Sequence, residues 1–392
     1  MIFKKQKRLL SLDAFRGMTI AAMILVNTPG SWSHIYAPLR HAEWHGWTPT
    51  DLIFPFFLFI VGVAITLSIQ SRIGVNTINT IHKKIFKRSL IIFLLGLFLS
   101  SYTFGIPFTA EGWADFSFSS VTETILSVRI PGVLQRIALC YLATTLLVIH
   151  LNRREQYYVA GGLLMVYWAA MMLIPHSSGI RGDLSMEGNL ARQIDLALFS
   201  TENIYSVKGI PFDPEGLLST IPAIATTLSG VFVGNLLRSH YSPREKLIFL
   251  VFGGLVGIAM GTGLSIQIPI NKQLWTPTYV LLTSGWACLI LALFYWIMEL
   301  KNKTRWAKPF IVFGSNSIFV FVASGILVRT ILRIKIHYED GTIRSLYSWL
   351  YHELFVPWAG DLNGSLFFAT SWILLWLGVL WILYIKKIFI KI

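Results

Sequence analysis

The feature that most constrains this chain is a series of ten apolar stretches, most of them close to 20 residues long. About 20 apolar residues in a helix cross the roughly 30 Å hydrocarbon layer of a membrane. The stretches are continuous rather than alternating, which excludes a transmembrane β-barrel. Only 13% of residues are charged, far fewer than in a soluble domain. We predict an all-α polytopic membrane protein with about ten spans, near residues 12–28, 51–70, 89–106, 130–150, 157–175, 217–237, 247–266, 277–299, 309–332 and 364–385.

Lys and Arg residues concentrate in alternate connections, and this bias sets the predicted orientation. Basic residues at both chain ends predict cytoplasmic termini. No small-residue cleavage site follows the first span, so we expect it to be retained rather than removed as a signal peptide. Residues 345–358 are too short to span and predict a short amphipathic helix on the external side. We treat residues 1–392 as one membrane domain, with external loops at 28–50, 107–129, 176–216, 267–276 and 333–363.

The net charge of +14 is explained by this orientation, because no basic face or nucleic-acid motif accompanies it. Cys140 and Cys288 lie in apolar spans and predict small core residues rather than a disulfide or metal site. The expected partners are small-molecule substrates and membrane lipids. Glycines spaced four apart predict close helix packing, either within the chain or in a homodimer: Gly230, Gly234, Gly257 and Gly261.

The loop between the first two spans is unusually rich in ionisable groups. It contains His34, His41 and His45 and lies between Asn27 and Asp51. Such groups at a membrane boundary mark a candidate functional site. His41 and His45 lack the H-E-x-x-H order of a zinc-binding helix, so we predict no metal. Several external histidines are expected to be solvated loop residues: His34, His45, His176, His337 and His352.

Two further external loops combine acidic, amide and indole groups. Asp213 and Glu215 lie in FDPEG, and IPINKQLW carries Asn271, Lys272 and Trp275. An indole ring covers apolar C–H groups while polar side chains bind hydroxyl or ammonium groups. With Trp44 and His45, these loops predict a binding site for an amine or a sugar.

Polar residues also occur within the spans. Asp13 and Arg16 are three residues apart, on one face of the first helix, and predict either an ion pair or an anion site. Arg136, beside Gln135 in the fourth span, requires an anion, a structural partner or a wet cavity. Small residues at Asn316 and Ser317 favour helix packing, but the amide also needs hydrogen-bond partners.

Six ordered blocks give the chain a resemblance to a known family. They are LDAFRG, RHAEWHGWTPTDLIFPFFLFIVG, RIPGVLQRIALCYL, FDPEGLLSTI, IPINKQLWTPTYVL and FGSNSIFVF. In this order they resemble the heparan-α-glucosaminide N-acetyltransferase family, which comprises a lysosomal enzyme and shorter bacterial relatives. The resemblance covers the chain from Leu12 onward.

The resemblance implies transfer of an acetyl group across a membrane, from cytoplasmic acetyl-CoA to the amine of a terminal glucosamine. The family histidine falls on His41, and the family asparagine at the end of the first of these spans falls on Asn27. His45 stands where the family has an asparagine, and the large extra-membrane domain of the lysosomal enzyme has no counterpart here. Both departures leave the acceptor open.

The chemistry of the residues agrees with this reading. His41 suits a general base, or a carrier of the acetyl group as an acyl-imidazole. Asn27 is expected to stabilise the oxyanion, and Asp51 to orient His41 or hold the acceptor amine. The residues predicted to contact acetyl-CoA are Arg16, Gln135, Arg136, Asn316 and Ser317.

Two other functions remain open at this point. Ten spans, an intramembrane arginine and aromatic external loops also suit a transporter of an amino sugar or small anion. An acyltransferase with another acyl donor, acting on a cell-envelope glycan, is the third reading. In each case we expect an integral protein of a bacterial inner membrane.

Overall fold

The computed structural model describes residues 9–69, 77–106, 117–175, 179–338 and 341–390, and these residues are overwhelmingly helical. The helices are α1 (Leu10–Asn27), α2 (Ile53–Ile69), α3 (Ile78–Ser101), α4 (Phe118–Leu126), α5 (Val133–His150), α6 (Arg153–Leu173), α7 (Leu190–Leu198), α8 (Thr220–Arg238), α9 (Pro243–Gly263), α10 (Pro277–Tyr295), α11 (Lys308–Ser315), α12 (Ser317–Arg333), α13 (Leu346–Leu354) and α14 (Val356–Ile385). Two antiparallel hairpins pair β1 (Ser206–Val207) with β2 (Ile210–Pro211) and β3 (Lys335–His337) with β4 (Ile343–Ser345).

Among the described residues, eight helices are long and apolar enough to cross a membrane, or nine if the bent pair α11 and α12 forms one span. The predicted all-α polytopic class is therefore confirmed, with fewer qualifying spans than the ten expected. The difference lies in the third span. The sequence prediction placed four basic residues in the loop before this span: Lys83, Lys84, Lys87 and Arg88. In the structure they lie in the first turns of α3, so the uncharged part of this helix is shorter than about 20 residues. Arg72, predicted in the same loop, lies outside the described residues.

The ninth predicted span is broken rather than continuous. Asn316 has non-helical backbone angles, with φ of −131° and ψ of 42°, between α11 and α12. The two helices are bent by 69° at this break. The amide that we noted in the sequence therefore marks a break in the helix.

The closely packed glycines join helices of the same chain. A Cβ at Gly230 would overlap the backbone oxygen of Phe59 in α2. A Cβ at Gly261 would lie 2.7 Å from the backbone nitrogen of Leu282 in α10. Close packing is thus confirmed within the chain, and these glycines provide no argument for a homodimer.

Described residues from three of the predicted external loops meet at one end of the helix bundle. Gly46 N–H donates to the oxygen of Ile270 at 2.7 Å, which joins the 28–50 and 267–276 loops. The Tyr347 hydroxyl donates to the oxygen of Pro29 at 2.7 Å, which brings α13 to the same end. The predicted short helix within residues 345–358 is present as α13, and the chain turns into α14 directly after it.

Candidate functional site

Asp51 is held in place by the turn that starts the second span. Thr48 and Asp51 form a capping box around a 3₁₀ turn at Pro49–Leu52. The Oδ2 atom of Asp51 accepts from the Thr48 N–H at 3.0 Å and the Ala42 N–H at 3.0 Å. The Thr48 hydroxyl lies 3.1 Å from the same oxygen and 2.6 Å from the Arg40 backbone oxygen, to which it donates. Asp51 is 1% exposed. The carboxylate is therefore buried with one oxygen, Oδ2, fully bonded.

His41 bonds to the other carboxylate oxygen. Its Nδ1 lies 2.6 Å from Asp51 Oδ1, and its side chain is 44% exposed. A carboxylate can only accept, so this contact assigns the ring proton to Nδ1 and leaves the lone pair on Nε2. A histidine held in this way is suited to take a proton or attack an acyl carbon at Nε2.

Lys272 lies beside both groups. Its Nζ is 2.9 Å from His41 Nδ1, 3.4 Å from His41 Nε2 and 3.4 Å from Asp51 Oδ1. Burial lowers the pKa of Lys272 below its ordinary value of 10.5, although the charges of Asp51 and Glu215 act to raise it. The sequence predicted Lys272 to contact substrate, and the structure places it against the histidine–aspartate pair.

A cavity of about 170 Å³ adjoins these residues. Its polar lining consists of Asn27, His41, Glu215 and Lys272, with Thr50 and with apolar side chains from α1, α2, α5 and α12. Asn27, the last residue of α1, thus shares a cavity with His41, and its role at the oxyanion stays a prediction. The volume is below that of a typical drug-sized site, so it suits a small reacting group.

The FDPEG carboxylates are tied to an arginine that the sequence analysis did not single out. Arg129 donates to both oxygens of Asp213, at 2.8 and 2.7 Å, and to Glu215 Oε2 at 2.6 Å. Burial would lower the pKa of Arg129, but the bonds and charges of Asp213 and Glu215 outweigh this effect and raise it. Asp213 is 2% exposed, so it holds the loop, while Glu215 also reaches the cavity. In the sequence Arg129 opens the RIPGVLQRIALCYL block, but the predictions for that block concerned only Gln135 and Arg136.

Arg136 lies inside the protein against the same loop. Its Nη2 donates to the Gly216 oxygen at 3.0 Å and to the Ser219 hydroxyl, and its guanidinium lies 5.0 Å from the Trp275 ring centre. Its Nε and Nη1 have no hydrogen-bond partner among the described residues. The bonds to Gly216 and Ser219 give Arg136 structural partners. Contact with acetyl-CoA stays a prediction, as it does for the neighbouring, 3% exposed Gln135.

Several residues predicted to bind substrate are bonded to the protein itself. Trp44 Nε1 donates to the Leu184 oxygen at 2.8 Å. Asn271 is fully buried, and its Oδ1 accepts from the Leu274 N–H at 2.8 Å. Trp275 is 1% exposed, with Nε1 donating to the Thr226 hydroxyl. Asn271 and Trp275 therefore shape the 267–276 loop from within.

His45 lies at the edge of this group. Its Nδ1 is 3.3 Å from Asn271 Nδ2, and partial burial lowers the pKa of the imidazole below its ordinary value. Among the described residues no group of three or more side chains is arranged to hold a metal ion. His176 lies outside the described residues.

The remaining predicted residues lie towards the opposite end of α1. Arg16 pairs with Asp13 at 3.2 Å. Asn316 bonds to the Ile388 oxygen at 3.0 Å and to the Ile390 N–H at 2.7 Å, and Ser317 follows it at the start of α12. Eleven helical residues, or about 16 Å, separate Arg16 from Asn27. Arg16, Asn316 and Ser317, which were predicted to contact acetyl-CoA, therefore lie far from His41, towards the other end of α1.

Comparison with known proteins gives a consistent result. The sequence model of the family described as "Heparan-alpha-glucosaminide N-acetyltransferase, catalytic" matches residues 8–263. The human protein named heparan-alpha-glucosaminide N-acetyltransferase is 29% identical over 369 residues, which cover 80% of this chain and 52% of that protein. The mouse protein of the same name is 28% identical over 374 residues, which cover 82% of this chain and 54% of that protein. The chain thus spans about half the length of these relatives. It is an integral membrane protein and belongs to the heparan-alpha-glucosaminide N-acetyltransferase catalytic family.

Proposed function

We propose that this protein is a transmembrane N-acetyltransferase, which moves an acetyl group from cytoplasmic acetyl-CoA to the amine of a glucosamine-type sugar on the periplasmic side. The observation that supports this most is the cavity shared by Asn27 and by His41, whose Nδ1 is bonded to buried Asp51. The names of the relatives supply the acceptor class. Family membership supports an acetyltransferase, for which acetyl-CoA is the general acetyl donor.

In the direct route, the neutral amine nitrogen attacks the thioester carbonyl carbon. The C–N bond forms as the C–S bond breaks, and the amine proton passes to His41 Nε2 and then to the leaving thiolate. Asn27 donates its amide N–H to the developing oxyanion. Glu215, on the same cavity, attracts the acceptor while it is still an ammonium ion.

In the alternative route, His41 Nε2 attacks the thioester carbonyl carbon first. The N–C bond forms as the C–S bond breaks, CoA leaves as the thiolate, and His41 carries the acetyl group as an acyl-imidazole. The bond from Nδ1 to Asp51 stabilises the ring as it becomes positively charged. The acceptor amine then displaces the imidazole. Both routes use the same residues, and they differ only in whether label remains on the protein without acceptor.

The donor must enter from the end where α1 begins. We propose that Arg16, Asn316 and Ser317 contact the CoA moiety there, while the acetyl end reaches the cavity. Asn316 now bonds to the backbone near the C-terminus, so this role requires those bonds to open. Arg16→Ala is expected to raise the KM for acetyl-CoA with little change in the KM for the acceptor.

The decisive experiment uses purified protein in liposomes, labelled acetyl-CoA and glucosamine. Wild type is expected to form labelled acetylglucosamine, and His41→Ala to lose at least about 100-fold of the rate. His34→Ala, an exposed histidine of the same loop, is the matched control. Glucosamine that crosses the membrane without being acetylated would instead identify a transporter.

A further inference from the structure

Asp51 has a single carboxylate oxygen left for its two side-chain neighbours, His41 and Lys272. Its Oδ2 already accepts two backbone N–H groups, those of Thr48 and Ala42, and the Thr48 hydroxyl lies 3.1 Å away. His41 Nδ1 and Lys272 Nζ therefore share Oδ1, at 2.6 and 3.4 Å. The Asp51 carboxylate thus contacts two groups that can each be positive, and Glu215 is the second acidic group that acts on Lys272.

Lys272 cannot easily leave this position. Its loop is closed by the Asn271 N–H bond to the Thr276 hydroxyl at 3.0 Å and by the Thr276 N–H bond to the Asn271 oxygen at 3.1 Å. The Lys272 side chain is 18% exposed. The charged groups that face it are Asp51, Glu215 and His41.

The geometry makes a second positive charge in this cluster costly. A protonated His41 would place its imidazolium within 3.4 Å of the Lys272 ammonium, and like charges at this distance disfavour each other's charged form. Without Lys272, Asp51 would instead stabilise the imidazolium alone. The lysine therefore opposes the effect of the aspartate on the histidine.

We propose that Lys272 is a positioning residue that keeps His41 uncharged and ready to react, by sharing Asp51 with it. The proposal rests on the proposed function, in which neutral His41 accepts a proton or the acetyl group. It replaces the substrate-binding role that the sequence suggested for Lys272. During transfer, the same repulsion drives the proton from His41 towards the leaving thiolate.

The test measures His41 directly and needs neither acetyl-CoA nor an acceptor. Diethyl pyrocarbonate reacts with neutral imidazole and not with imidazolium, so the rate of modification at His41 itself, read by peptide mass spectrometry against pH, has a midpoint set by the protonation of His41. Lys272→Met is expected to move this midpoint upward by about one pH unit or more, while Lys272→Arg keeps it near the wild-type value. Lys335→Met, at an exposed lysine in β3, is the matched control, and His34 is the internal reference.

An unchanged His41 midpoint in Lys272→Met would overturn the proposal. If that variant does not fold, Lys272→Gln makes the same charge change with a polar side chain. Activity then gives a second reading, because the acid limb of the rate–pH profile should move with the midpoint, whereas a structural defect lowers the rate at every pH. If the His41 midpoint shifts in Lys272→Met but the wild-type protein transfers no acetyl group, the proposed function is rejected. The effect of Lys272 on the charge of His41 is then still supported.

Discussion

At the scale of single residues, the candidate site consists of polar groups that make most of their hydrogen bonds within the protein. Asp51 fixes the backbone at Ala42 and Thr48 with one oxygen and contacts His41 and Lys272 with the other. A buried carboxylate with this many partners is expensive to alter, because each substitution leaves a buried donor without an acceptor. The predictions at this scale concern two buried carboxylates, Asp51 in the candidate site and Asp195 in α7.

Asp51→Asn is expected to lower kcat for acetyl transfer by about 10³-fold or more, because an amide cannot keep the Nδ1 proton of His41 in place and still accept the bonds to Oδ2. Steady-state kinetics with acetyl-CoA and glucosamine measure the effect. Asp361→Asn, at an exposed aspartate near the start of α14, is the control. Equal rates for the two variants would remove Asp51 from the mechanism.

Asp195 should make stability depend on pH. It is 1% exposed, with Oδ1 accepting from the Leu217 N–H at 2.9 Å and Oδ2 without a partner among the described residues. Burial raises the pKa of Asp195 from an ordinary 3.8 to about 6. The folded state therefore holds the proton more tightly than the unfolded state, so Asp195 lowers stability as pH rises from about 4 to about 6.

Asp195→Asn removes this dependence. The difference in free energy of unfolding between the variant and wild type should shift in favour of the variant by about 2 to 3 kcal/mol as the pH rises from 4 to 7. Thermal unfolding of both proteins in the same detergent, at steps of pH, gives the difference. A constant difference across this range would contradict the assignment.

At the scale of elements, helix contacts and loop ties position the site. The start of α1 packs on α11 through glycines, so that a Cβ at Gly17 would overlap the backbone oxygen of Phe310. The FDPEG loop is tied through Arg129 to the segment that precedes α5. These contacts set where Asn27 and Glu215 reach the cavity.

Gly17→Ala is expected to destabilise the protein by about 1 to 3 kcal/mol or to prevent folding, because backbone cannot move aside as a flexible side chain does. Gly253→Ala is the matched control, since its Cβ would meet nothing within 4 Å in α9. The control should be neutral or slightly stabilising. Thermal unfolding and yield of monodisperse protein compare the two, and equal stability would refute the close contact.

Arg129→Met should lower the free energy of unfolding by about 3 kcal/mol, because it leaves Asp213 buried without its partner. Adding Asp213→Asn to the same protein removes that buried charge and should recover part of the loss. Unfolding of the two single variants and the double variant forms the cycle. Strictly additive effects would show that the two side chains do not interact.

At the scale of the whole molecule, the loops around the candidate site lie at one end of the bundle, and the sequence assigns that end to the external side. The contact of Gly46 with Ile270 and that of Tyr347 with Pro29 join loops from distant parts of the chain. The side of the membrane follows from the distribution of Lys and Arg and stays a prediction.

Cysteine labelling tests this orientation. In a background with Cys140 and Cys288 replaced by alanine, Trp32→Cys should react with an impermeant maleimide in intact spheroplasts, since Trp32 is 67% exposed in the 28–50 loop. Lys303→Cys, in the connection after α10, should react only after permeabilisation. The opposite pattern would invert the orientation and place the candidate site in the cytoplasm.

The sequence alone determined the helical membrane class, most of the span positions and the polar loop around His41. Apolar length and side-chain charge are local properties, and the bilayer acts on each segment separately. The capping box of Thr48 and Asp51 at the Pro49 turn was not among the sequence predictions, although its spacing is local. The predicted position of the third span was less accurate, because the basic residues before Ser89 belong to α3 instead of forming a loop.

Only the tertiary structure decided how distant polar groups pair. His41 and Lys272 are 231 residues apart in the chain, and the local pattern of neither one specifies the other. The same holds for Arg129 with Asp213 and for Asn316 with the backbone near Ile388. A buried polar group must find a partner somewhere, but which partner it finds depends on how the helices pack. Helix packing brought Asn27, His41, Glu215 and Lys272 around one cavity.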